Sequence, residues 1–301
     1  MEKIGLFIRL SRPIFIIGGV ILYALGVGIA RYLGISINWT VCVFGQLWVI
    51  LLQLSNQYLN EYFNSTADSE NQNRTPITGG SGALGSGKLL RRIALMAAYT
   101  CLAFLASLTV VMISQVTLNP IALLIMGFAL LGSLTYSTPP FKLEGSGYGE
   151  LIVSIIVAFM VPAYAFVLQA GEMHRLVAMS SFPLTVMHLA MLLAFELPDY
   201  PNDIKFGKRT IMVRIGWRNG MILHNILILS AYLLLGLAAI NGMPRFVWLP
   251  VLLTLPLGFF QIWQIRRIAD GAKPNWKALT VVSISIFGTM TYLMTFAYWI
   301  N

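Results

Sequence analysis

Two polar stretches in an otherwise apolar chain carry residues that could hold a metal ion. The first, NEYFNSTADSENQNR at residues 60–74, places Asn60, Asn64 and Asp68 at i, i+4 and i+8. On a continuous helix this spacing stacks three oxygen-bearing side chains into one ridge. The second, ELPDYPNDIKFGKRT at residues 196–210, places Glu196, Asp199 and Asp203 at i, i+3 and i+7. These share a face if the segment is helical, although Pro198 and Pro201 predict a kinked or unwound end. Mg²⁺ takes hard oxygen ligands and is bound by a few carboxylates together with substrate phosphates. Facing each other, the two ridges would hold about two or three Mg²⁺ ions around a diphosphate, with Asn60, Asn64, Asp68, Asp199 and Asp203 as metal ligands. Arg74, Lys208 and Arg209 would offset the remaining phosphate charge, as Asn60 and Asn64 would help to hold it, and an arginine can do so bidentately. A third polar segment, TYSTPPFKLEGSGYGEL at residues 135–151, brings Tyr136 and Lys142 within reach of the same region. That segment reads equally well as a rigid turn with an interfacial aromatic anchor.

The elements that position these motifs are membrane helices. Of 301 residues, 57% are apolar and only 10% charged, too few charges to cover a soluble domain of this length. A membrane helix needs about 20 mostly apolar residues. Nine stretches qualify: 14–30, 40–59, 93–113, 120–134, 151–168, 176–197, 221–240, 246–262 and 278–300. The predicted fold is an all-α, polytopic bundle of nine transmembrane helices, organised as one membrane domain over residues 1–301. The acidic stretches follow the second and sixth spans. In the second span, Gln46, Gln53, Gln57, Asn60 and Asn64 lie on one helical face, which must look inward because it is costly in lipid. Gln46 and Gln53 read as interhelical hydrogen-bonding residues.

With nine spans, 17 of the 20 lysines and arginines fall on one side, leaving Arg31, Arg175 and Arg245 on the other. Basic loops stay cytoplasmic, which predicts a multi-pass protein of the cell (inner) membrane with its amino terminus inside and its carboxyl terminus outside. Lys3, Arg9 and Arg12 also resemble the basic start of a signal peptide, but eight further spans make an uncleaved first helix the simpler expectation. The net charge of +9 is then a topology signal with some attraction to anionic headgroups, and no nucleic-acid partner is expected. Cys42 and Cys101 lie in apolar spans and read as packing residues. The string GGSGALGSGK at residues 79–88 follows no strand and has Leu89 where a P-loop needs Ser or Thr, so it reads as a flexible loop near the diphosphate, acting as a lid. His188 lies two turns before Glu196, either in a hydrogen-bonded packing role or lining a substrate cavity.

In combination these residues resemble the UbiA superfamily of membrane prenyltransferases over nearly the whole chain. The resemblance rests on Asn60, Asn64 and Asp68 after the second helix, Tyr136 to Pro140 after the fourth, and Asp199, Asp203 and Gly207 to Thr210 after the sixth. RTPITGGSGAL and LPDYPND…GKRT are most similar to the MenA type, which prenylates 1,4-dihydroxy-2-naphthoate. The resemblance implies a Mg²⁺-dependent enzyme whose partners are a prenyl diphosphate, an aromatic acceptor and the bilayer, with no protein partner. It implies Asp68, Asp199, Asp203, Tyr136 and Lys142 as catalytic residues, and Tyr62, Phe63, Tyr136 and Tyr148 as rings facing an allylic cation. Asn64 departs from the family pattern, which has Asp there, and Glu61 or Glu70 would have to compensate. The other readings are a transporter, for which broken helices would speak, and a non-catalytic isoprenoid-binding protein.

Overall fold

A computed structural model describes residues 2–85, 87–116 and 118–301. A short amphipathic helix α1 (Glu2–Leu10) precedes α2 (Pro13–Tyr32), α3 (Trp39–Glu70), α4 (Arg91–Gln115) and α5 (Pro120–Ser137). The fifth span comprises α6 (Gly149–Ile155), one π-helical turn (Ile156–Met160) and α7 (Val161–Ala170). Then follow α8 (Arg175–Lys205), the short α9 (Ile211–Ile215) and α10 (Trp217–Ile240). The eighth span joins α11 (Arg245–Val251) to α12 (Leu255–Ala269), and α13 (Trp276–Ile300) is the ninth. Among the described residues, nine helical spans are long and apolar enough to cross a membrane, each containing one of the nine stretches expected from sequence or most of it.

Local chemistry explains where these helices begin. Asn38, Thr210 and Asn275 each cap a helix by accepting a backbone N–H three residues on, and Asn119 and His174 accept one two residues on. Pro13 and Pro120 occupy first-turn positions where the missing N–H costs nothing. Pro162 stands just after the π turn, and a proline nitrogen cannot continue the regular hydrogen-bond ladder.

The bundle buries small, aliphatic and aromatic residues between helices, and many further large apolar side chains face outward. Val110, Leu233 and Leu253 are 66%, 65% and 73% exposed, as lipid-facing side chains should be. Where α2 crosses α7, a Cβ on Gly26 would overlap the carbonyl oxygen of Pro162, so only glycine permits the approach. Gln53 donates from Nε2 to the carbonyl of Phe15 at 2.6 Å, the interhelical bond expected of it. Gln46 does not follow suit, since its buried Nε2 has no partner among the described residues.

One expectation holds and another is changed. Helix α3 continues through Asp68 to Glu70, so the first ridge is real. Helix α8 also continues, through Pro198 and Pro201 to Lys205, instead of unwinding. The polar motifs therefore ride on unbroken helices, not on the broken midplane helices of a transporter.

Replacing Gly26 with leucine should destabilise the α2–α7 crossing by about 1–3 kcal/mol. Gly236→Leu, at a site with open space around it, should not. Thermal unfolding in detergent measures the difference.

Candidate active site

The continuity of α3 and α8 brings the two acidic ridges to one cavity of about 670 Å³. Asn60, Asn64 and Asp68 line it from α3, and Glu196, Asp199 and Asp203 from α8. Tyr136 and Lys208 complete the polar end with Glu144, Glu150 and Arg12. The other end is apolar, with Phe15, Leu22, Met191, Phe195 and Phe287. It reaches outward between α2 and α13, where the lining residues Ile17 and Tyr292 are more than half exposed, at 57% and 52%.

Four of the carboxylates at the polar end have identifiable hydrogen-bond partners. Asn71 donates from Nδ2 to Asp199 Oδ1 at 2.7 Å, and Asn202 donates to the carbonyl of Ala67 at 3.1 Å, tying α8 to α3. Glu144 Oε2 accepts from the amides of Asn60 at 2.6 Å and Asn64 at 2.8 Å. The carboxylates of Glu150 and Glu196 accept the backbone N–H groups of Ile211 and Met212, at 3.0 and 3.2 Å, where α9 begins. A helix start is a favourable place for negative charge. Through α9 these acids also hold the preceding segment that carries Lys208.

The glycine-rich loop is held just as closely. Buried Glu61 pairs with Arg12, Oε1 to Nη2 at 2.7 Å, and accepts both the N–H and the hydroxyl of Ser81, at 2.7 and 2.6 Å. This seats Gly80 so near Asp68 that a Cβ would strike its carboxylate, and Gly80 also has a left-handed φ of 78°. Glycine is required there on both counts.

Six carboxyl groups line this cavity against two cationic side chains, Arg12 and Lys208. Burial disfavours the Lys208 ammonium, but the charges of Glu144, Asp203, Asp68 and Asp199 outweigh that and hold its pKa above the ordinary lysine value. The surplus of negative charge and the all-oxygen donor set fit a hard divalent cation. No three described His, Cys, Asp or Glu side chains form a ready-made metal cluster. An ion here would need water or phosphate oxygens to complete its shell, which is how Mg²⁺ is usually bound.

A model of the UbiA prenyltransferase family matches residues 20–286. The chain belongs to that family. This UbiA-family chain is 26% identical over 200 residues to the 1,4-dihydroxy-2-naphthoate octaprenyltransferase of Haemophilus influenzae, covering 65% of this chain and 64% of that one. It is 25% identical over 144 residues to the 2-carboxy-1,4-naphthoquinone phytyltransferase of Synechocystis, covering 48% and 45%. The chain thus spans less than two thirds of the first relative's length and less than half of the second's. A UbiA homologue from Archaeoglobus fulgidus, solved bound to DMAPP and Mg²⁺, has the same fold with a TM-score of 0.69 at 17% identity, covering 96% of this chain and 98% of that one.

Against this family background, several residues expected at the site stand elsewhere. Arg74 lies against the backbone of Gly82, Arg209 is exposed, and Lys142 is exposed with its backbone in a left-handed turn. None of the three lines the cavity. Tyr62 and Phe63 pack against each other beside α4, with Arg91 over Tyr62, and Tyr148 is exposed beneath Arg214. Of the four rings expected to face a cation, Tyr136 alone lines the cavity. Glu61 and Glu70 are engaged with Arg12 and Lys205, so neither stands in for an acid at position 64. His188 lines the cavity while bonding Ser154 at 3.0 Å and meeting Phe287 edge-on, which unites both readings of it.

No spacing in the sequence marks Arg12, Asn71, Glu144 or Glu150 as residues of this site. Arg12 follows α1 like any membrane-flanking base, and its left-handed backbone is what turns it back onto Glu61. Glu144 and Glu150 sit within the 135–151 segment without helical spacing to either motif.

Arg12→Met would strand the buried Glu61 charge and should cost about 3–5 kcal/mol of stability. Adding Glu61→Gln should recover a large part of that loss in the same unfolding measurement.

Proposed function

We propose that this chain transfers an isoprenyl group from a prenyl diphosphate to an electron-rich aromatic acceptor within the membrane, with Mg²⁺ as cofactor. The observation that carries this reading is the single cavity with an acidic, amide-rich end and an apolar end that reaches lipid-exposed residues. A prenyl diphosphate has the same division of character. Mg²⁺, held by Asp68, Asp199 and Asp203 with the amide oxygens of Asn60 and Asn64, would neutralise the diphosphate and favour its departure.

The chain's own residues account for the rest. Lys208 retains its proton among the acids and meets the charge that develops on the diphosphate as the allylic C–O bond breaks. Tyr136, Phe195 and Phe287 line the cavity, where their rings would stabilise the allylic carbon as it gains positive charge on the parting of that bond. The apolar walls exclude water, which would otherwise capture that carbon. An acceptor ring carbon then forms the new C–C bond and loses its proton to restore aromaticity.

The two relatives named for naphthoate-derived acceptors favour 1,4-dihydroxy-2-naphthoate over 4-hydroxybenzoate, homogentisate, tetrapyrrole or glyceryl phosphate acceptors. The charge asymmetry favours the acidic end at the cytoplasmic face of the cell membrane, with the amino terminus inside.

Purified protein given a prenyl diphosphate, Mg²⁺ and a panel of acceptors tests the proposal by release of diphosphate and appearance of prenylated product. Asp68→Ala or Asp199→Ala should each lower turnover by about 10²-fold or more. Arg209→Ala, outside the cavity, should leave it near that of the unmodified protein. Turnover in excess chelator would remove the metal from the mechanism, and preference for another acceptor would correct the substrate.

A further inference from the structure

The first acidic ridge lacks a carboxylate at position 64, yet the structure puts one beside it from another part of the chain. Glu144 lies in the turn Leu143–Gly145 between α5 and α6. Its Oε2 accepts hydrogen bonds from Asn60 Nδ2 at 2.6 Å, Asn64 Nδ2 at 2.8 Å and Ser137 Oγ at 3.0 Å. Its other oxygen takes no hydrogen bond from the described residues, and Glu144 lines the cavity with both asparagines.

We propose that Glu144 supplies the charge that position 64 does not, so that Asn64 and Glu144 together do the work of one carboxylate in the cation and diphosphate subsite. The inference rests on the prenyl-transfer reading above. Both amides spend an N–H on Glu144, which leaves their carbonyl oxygens available as neutral ligands. Aspartate at position 64 could not donate. It would instead set two acceptor-only carboxylates at hydrogen-bond distance with no donor between them. The asparagine is therefore the partner that Glu144 requires, not a decayed acid.

The turn is also placed to serve the phosphate side. The carbonyl of Gly145 accepts the N–H of Arg209 at 2.9 Å, and Gly145 packs against Lys208. Glu144 is thereby fixed beside the cation that faces the leaving group. Unlike Glu61, it has no basic partner of its own within ion-pair distance among the described residues.

Mn²⁺ binding by full-length protein in detergent, read by electron paramagnetic resonance with inorganic diphosphate present, tests the pairing. Glu144→Gln should weaken Mn²⁺ about tenfold or more. Glu144→Asp, which keeps the charge, should weaken it less, and thermal unfolding of both separates lost charge from lost fold. Asn64→Asp should also weaken binding, and the double variant Asn64→Asp/Glu144→Gln should bind more tightly than either single one. Unchanged affinity in Glu144→Gln, tighter binding in Asn64→Asp, or a double variant that does not exceed both single ones would each overturn the pairing. Unmodified protein that binds no Mn²⁺ under these conditions would overturn the metal-dependent reading itself.

Discussion

A carboxylate removed from water must be met by donors or by positive charge, and much of the polar end of this bundle is arranged around that requirement. Glu61 is met by Arg12 and Ser81, which fastens the glycine-rich loop and the α1–α2 corner to α3. Glu150 and Glu196 are met by the first N–H groups of α9, which fixes the segment bearing Lys208. Asp199 is met by Asn71, and Glu144 by two asparagines and a serine. The acids that line the cavity therefore also organise the loops around it. Removing one disturbs a position in the backbone as well as a charge.

The same requirement explains the division of the cavity. Polar side chains occupy the ends of α3 and α8, where loops supply donors, and give way to aliphatic and aromatic ones deeper in the bundle. Small residues let the helices approach closely enough to fix these faces, as at Gly26 against Pro162. The outward surfaces of the spans remain apolar, so the protein can keep charge inside only because lipid accepts everything else.

The nine spans and both acidic ridges were legible in the sequence because each depends on spacing within one helix. Asn60, Asn64 and Asp68 share a face for the same reason that the stretch around them is helical. The prolines of α8 misled, since Pro198 and Pro201 near a helix end do not stop it here. Basic residues were the least readable. Arg74, Lys142 and Arg209 are close to the motifs in sequence, but exposed or loop-bound guanidinium and ammonium groups turn wherever solvent and backbone allow. Arg12 and Glu144 were not legible because Glu61 is 49 residues from Arg12, and Asn60 and Asn64 are 84 and 80 residues from Glu144. No local pattern encodes such a contact.

That separation in sequence has a bearing on how the protein is made. Helix α3 is the least apolar of the nine spans, and its polar face finds its partners late. The amides at 60 and 64 wait for a residue 80 or more positions downstream, and Asn71 waits for one 128 positions downstream. During synthesis this helix must enter the bilayer before the groups that satisfy it exist. Its amides must then be sheltered, by water at the membrane surface or by the insertion machinery, until α5 and α8 arrive. The features that equip this helix for chemistry thus make it the span whose insertion is most precarious.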